Sequence, residues 1–139
     1  MYKPSEQDKR IEEILGRENI PVSEKSLKKY LKYLKQNLDL PCQFTGIEDF
    51  DWEEYYIFGP GSEKEYERLK KIRPSYEDIF KMISFEDDFD EDYGISVKVQ
   101  RISDKKRFTI SLADLEATDK KSRSYQLLHD YSVWFVNNR

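Results

Sequence analysis

Two runs of acid limit how this chain can fold. Glu86-Asp87-Asp88-Phe89-Asp90-Glu91-Asp92 sets six carboxylates in seven residues, with no Lys or Arg among them. Glu48-Asp49-Phe50-Asp51-Trp52-Glu53-Glu54 sets five in seven. Like charges this close repel one another, and confining them raises the cost of folding. The cost falls if the runs stay solvated as surface loops, or if a hard cation sits between the oxygens. Ca2+ suits that role, because it takes about six to eight oxygen ligands at flexible geometry. The plain alternative is an acidic surface that aids solubility.

The rest of the chain balances these runs only in part. Between Glu48 and Asp92 there are 16 acids and 6 bases, against 12 acids and 18 bases elsewhere. The middle of the chain repels a phosphate backbone, so no nucleic-acid partner is expected. No apolar run approaches the length of a membrane span, so no membrane partner is expected either. Hydrophobic residues are 37%, but aromatics reach 14% of the 139 residues and supply core area, which argues against disorder. One cysteine, Cys42, rules out an intrachain disulfide and a Cys-rich metal site. These features predict a single domain over 1–139, monomeric and cytoplasmic.

Local signals set the expected elements. Ser5 caps a short helix with Ile11, Ile14 and Leu15 on one face, stopped at Gly16. Ser23 opens a helix over Glu24 to Leu38 whose stripe is Leu27, Tyr30, Leu31, Leu34 and Leu38. Its other face is basic, and Pro41 ends the region. Cys42 to Ile47 reads as a strand, and aromatic-rich Glu54 to Phe58 as a second. Ser62-Glu63-Lys64-Glu65 fits a capping box that starts a helix to about Lys71. Tyr76 to Phe85 reads as a strand of ambiguous face, with the second acidic run as a loop after it. Ile95 to Ile102 and Arg107 to Leu112 alternate as a hairpin around Ser103-Asp104-Lys105-Lys106. A short 3-10 turn is expected at Asp114-Leu115-Glu116. A last helix follows from Thr118 or Asp119 to about Asn137. The whole predicts an α+β fold: a small, strongly bent antiparallel sheet or SH3-like barrel, flanked by N- and C-terminal helices.

Asp88, Asp90 and Asp92 alternate like the start of an EF-hand loop, but Tyr93 stands where Gly is needed and Val99 where a bidentate Glu is needed. The EF-hand is rejected. Each acidic run follows a predicted strand, which leaves two arrangements open: one cation site shared by two loops at one end of the sheet, or two separate weak sites. The candidate ligands are Asp87, Asp88, Asp90 and Asp92 first, then Glu86 and Glu91, with Asp49, Asp51 and Glu53 from the other run. Paired-carboxylate hydrolysis is the enzymatic alternative, but the spacing is unspecific. His129 has no nucleophile placed to partner it, so no enzyme is expected.

Leu34 to Phe44, with Leu40-Pro41 before Cys42-Gln43-Phe44, resembles the helix-to-strand step of the small calcium-binding proteins first known from cyanobacteria. Arg107 to Glu116 resembles that family's strand before its closing helix, and Trp134-Phe135 its late aromatic pair. The acidic run Glu86 to Asp92 lies where the family has an acidic loop. The resemblance covers about 75 residues in pieces; 1–22 looks like an N-terminal extension and 52–85 like an insertion. It implies a bent-sheet α+β fold and Ca2+ bound by surface carboxylates, for buffering or signalling. The rival reading is a metal-free acidic module for a basic protein partner.

Overall fold

The computed structural model describes residues 5–17, 19–39 and 42–139; Leu40 and Pro41, and with them the expected helix stop at Pro41, lie outside these. The elements run α1 (Glu6–Leu15), α2 (Glu24–Asn37), β1 (Gln43–Gly46), α3 (Asp51–Ile57), α4 (Glu63–Lys70), β2 (Phe80–Asp90), β3 (Gly94–Arg101), β4 (Arg107–Ser111), a 3-10 turn at Leu112–Asp114, β5 (Leu115–Ala117) and α5 (Arg123–Asn138). The three predicted N-caps hold, but at Ser62 the box does not close, because the Glu65 carboxylate pairs with Arg68. The Ser5, Ser23 and Ser62 side chains each accept from a backbone N–H of the first turn, and Gly16 takes a left-handed φ of 93° to close α1.

The sheet is antiparallel throughout, in the order β4-β3-β2-β1-β5. It is open, so the barrel alternative does not apply, but it is strongly bent. Only Leu112–Asp114 join β4 at one edge to β5 at the other. Four Cα steps reach at most about 14 Å, whereas five flat strands put their edges about 19 Å apart. The two edges therefore meet at this corner. Tyr30, Leu34 and Leu27 of α2 and Leu128, Tyr131, Trp134 and Phe135 of α5 share one core with Phe44, Phe80, Ile95, Val97 and Val99 of the sheet. Tyr30 stacks on Trp134 at 5.1 Å and meets the edge of Tyr131 at 5.1 Å. Arg10 Nε (2.7 Å) and Gln7 Nε2 (3.0 Å) of α1 donate to buried Asp130 of α5, pinning the first helix to the last.

Four expectations are corrected. Glu54 to Phe58 belongs to helix α3, not a strand. Trp52, Glu53 and Tyr56 turn inward at helical spacing, and both sides of β1 are already taken by β2 and β5. The second acidic run is strand rather than loop as far as Asp90. Its charges are tolerated because the ladder slips: Phe85 pairs with Val97 and Phe89 with Ile95, so Glu86, Asp87 and Asp88 face a single residue of β3 in a bulge. The 3-10 turn comes earlier than Asp114-Leu115-Glu116, because Leu115–Ala117 are taken into the sheet beside β1. The last helix starts at Arg123 under a Ser122 cap. Thr118 and Asp119 are used elsewhere: the Thr118 N–H donates to Gln43 O, and Asp119 Oδ1 accepts from Lys121 N–H. The ambiguous face of β2 is settled with Phe80 and Met82 buried and Lys81 and Ile83 outward.

Gly94 carries the tightest requirement of the β2–β3 turn. Its φ is 70°, and a Cβ there would stand 2.7 Å from Phe135 Cε2 and closer still to the Tyr131 hydroxyl. That hydroxyl accepts from Ile95 N–H at 2.8 Å. Gly94→Ala combines left-handed strain with overpacking, so a loss of about 2–4 kcal/mol is expected. Urea unfolding checks this; an unchanged midpoint would show that the turn yields freely.

Candidate metal site

The bend creates an acidic cleft. β1 and β2 are antiparallel, so runs that follow each of them leave from opposite ends of the sheet. The corner at Leu112–Asp114 nevertheless draws the β2–β3 turn toward the segment after β1. A cleft of about 450 Å³ forms between the Ile47–Phe50 loop, the start of α3, the β2–β3 turn, the 3-10 corner and α5. Glu48, Asp49, Asp51 and Glu54 line it from the first acidic run, and Asp92 comes from the second. Asp114 adds a sixth carboxylate and Arg139 a base.

Hydrogen bonds to backbone carbonyls hold the walls. Ile47 N–H donates to Asp114 O at 3.0 Å, joining the loop to the corner. Ser132 Oγ of α5 donates to Ala113 O at 2.8 Å, and Ser111 Oγ to Tyr93 O at 2.7 Å. Arg139 Nη1 donates to Asp92 O at 3.3 Å. α3 places Asp51 and Glu54 one turn apart on the cleft side. The Asp114 carboxyl is raised above the usual carboxylate range, by desolvation first and then by Asp51 and Glu48, with Arg139 opposing. A cation in the cleft would reverse that shift.

The nine candidate ligands separate into groups. Asp49, Asp51 and Asp92 share the cleft. Asp88 and Asp90 line a shallower hollow of about 360 Å³ with Ser96, Thr109 and Ser111. Asp90 also builds the turn, accepting from the N–H groups of Asp92 (2.7 Å) and Tyr93 (2.8 Å) at one oxygen. Asp87 meets Lys35 at 3.4 Å, Glu86 meets Lys98 at 3.8 Å, and Glu91 is exposed on the turn. Glu53 leaves the surface altogether. It is fully buried and accepts from Tyr66 Oη (2.6 Å), Ser75 Oγ (2.8 Å), Tyr76 N–H (2.8 Å) and Phe50 N–H (3.2 Å). The reason is helical: in α3 it points away from Asp51 and Glu54, toward α4. Sequence reasoning also missed Asp114, which is far from both runs and marked by no local motif. Glu48 and Glu54 stand in the first run, but only the fold shows that the loop before α3 and α3 itself place them at the cleft.

The donor chemistry of the cleft fits a hard cation, since its lining residues offer carboxylate oxygens and no sulfur or imidazole. Among the described residues, no three acidic, His or Cys side chains are grouped to hold an ion as they lie. Coordination there requires the carboxylates to rotate inward. His129, on the outer face of α5, stacks on Tyr125 at 5.9 Å.

Among the described residues, no helix is long and apolar enough to cross a membrane. No protein-family model and no curated protein matches this chain. The fold has a counterpart among solved structures: a calcium binding protein in the calcium-binding form superposes with a TM-score of 0.58, at 18% identity, over 94% of this chain and 90% of that one. At that identity the likeness is one of fold.

Proposed function

We propose that the chain is a calcium-binding protein of the small family first known from cyanobacteria, soluble, cytoplasmic and monomeric, acting as a buffer or sensor rather than an enzyme. The observation that carries the reading is the meeting of four acids of the first run, Asp92 of the second and Asp114 in one cleft. A fold shared with a calcium binding protein supports it. Asp49, Asp51, Glu54, Asp92 and Asp114 would supply the oxygens, with Glu48 at the margin. Glu48, Asp51, Glu54 and Asp92 are all exposed, as solvated cation ligands are.

Titration calorimetry with Ca2+ tests this. A ligand that binds only the folded chain stabilises it by about 2.7 kcal/mol at a hundredfold excess over Kd. The melting temperature should therefore rise with Ca2+, and Asp51→Asn with Asp92→Asn should remove most of the rise. No heat and no shift at millimolar Ca2+ would refute the proposal.

A further inference from the structure

The acidic cleft has an apolar rim that cation binding does not use. Ile47 (43% exposed), Tyr93 (64%) and Val136 (55%) line it with their side chains largely in water. Phe58, at 77%, lies one turn beyond Glu54 on the same flank of α3. Three of the ten large apolar side chains exposed among the described residues border this one depression, a grouping of the kind that serves as a binding surface. Ion coordination gives these side chains nothing to do.

We propose that this cleft docks a basic amphipathic segment of another protein, with Lys or Arg side chains over the carboxylates and apolar anchors on Ile47, Tyr93 and Val136. Charge complementarity selects the partner. The cleft has six carboxylates against one guanidinium, so an acidic or phosphorylated ligand is repelled and a basic one is steered in. The rim selects a peptide over a bare polycation, since only a chain with apolar residues covers it. The docking uses the same carboxylates as calcium but does not depend on the ion.

The test is fluorescence anisotropy with the full chain in EDTA, so the result does not rest on cation binding. The probe is a labelled peptide of about fifteen residues alternating Lys or Arg with Leu. Binding is expected, weakening with salt, and falling at least about tenfold in Asp51→Asn/Glu54→Gln and in Tyr93→Ser, a change of roughly 1.4 kcal/mol. Asp87→Asn/Asp88→Asn removes the same charge away from the cleft and should change it little. Circular dichroism confirms that each variant is folded. The proposal is overturned by any of these outcomes: no binding at millimolar peptide; equal binding of an oligolysine of the same charge; or equal weakening by the Asp87/Asp88 pair. A dimer of the free chain, seen by sedimentation and lost in Asp51→Asn/Glu54→Gln, would assign the cleft to a second copy and also overturn it.

Discussion

Arg101→Ala is expected to lower the unfolding free energy by about 3–5 kcal/mol, the range for removing one member of a buried ionic network. The guanidinium is almost fully buried at the end of β3. It donates to Asp78 (2.9 Å), to Asp104 through two nitrogens (2.7 and 3.0 Å) and to the carbonyls of Lys70, Lys71 and Arg73 (each 2.9 Å). Lys70 and its C-cap Lys71 end α4, where helix carbonyls lack an internal partner, and Arg73 lies in the turn that follows. One side chain thus closes α4, fixes the 103–106 hairpin and neutralises two acids. Acid titration gives a second readout. Arg101 holds the Asp104 carboxyl down to about 2. A depressed carboxylate stabilises the fold above its ordinary pKa of about 4 and loses that contribution as pH falls toward 2. The native protein should weaken over that window, and Arg101→Ala should weaken much less. Urea unfolding from neutral to acid pH measures both; a variant within about 1 kcal/mol of the native chain at neutral pH would disprove the assignment.

Glu53→Ala is expected to cost a similar amount, about 3–5 kcal/mol, because four donors lose their acceptor at once. The carboxylate ties the start of α3 to Tyr66 of α4 and to Ser75 and Tyr76 before β2. Around it Trp52, Tyr56 and Tyr66 form an aromatic cluster, with Tyr56 stacked on Tyr66 at 5.7 Å and Trp52 Nε1 donating to Pro74 O at 2.6 Å. The Tyr66 hydroxyl is held protonated well above its usual range, by burial first and by Glu53 next. Glu53→Gln keeps one acceptor and should fall between the native chain and the alanine variant. Near-ultraviolet circular dichroism should lose the part of its signal that Trp52, Tyr56 and Tyr66 contribute in Glu53→Ala, while the Tyr30, Tyr131 and Trp134 part persists. The cation binding proposed above should weaken with it, since α3 carries Asp51 and Glu54. Full stability in Glu53→Ala would show that water replaces the carboxylate without penalty.

Local rules made much of the fold readable. Ser5, Ser23 and Ser62 announce helices because a hydroxyl at the N-cap answers an otherwise unpaired N–H, a relation confined to four residues. The alternation in β3 and β4 is equally local. What failed depended on distant partners. Aromatic-rich Glu54 to Phe58 looks like strand until β1 is seen to have both neighbours. Glu53 looks like its acidic neighbours until α4 supplies donors. The run from Glu86 looks like loop because nothing in one sequence reveals that β3 continues the ladder past a bulge. The cleft combined both kinds: its acids were conspicuous, but their meeting depends on a sheet bend fixed at Leu112–Asp114.

The pairing of β1 with β5 joins Phe44 to Ala117, so two segments far apart in the chain must find each other. The meander of β2, β3 and β4 assembles through short connections, while the β1–β5 seam waits for a long loop to close. The cleft draws its walls from both sides of that seam and from α5. A polypeptide still emerging from the ribosome therefore carries its acidic runs as separate, unjoined stretches. A ligand that needs all of these walls could be held only once α5 has been synthesised.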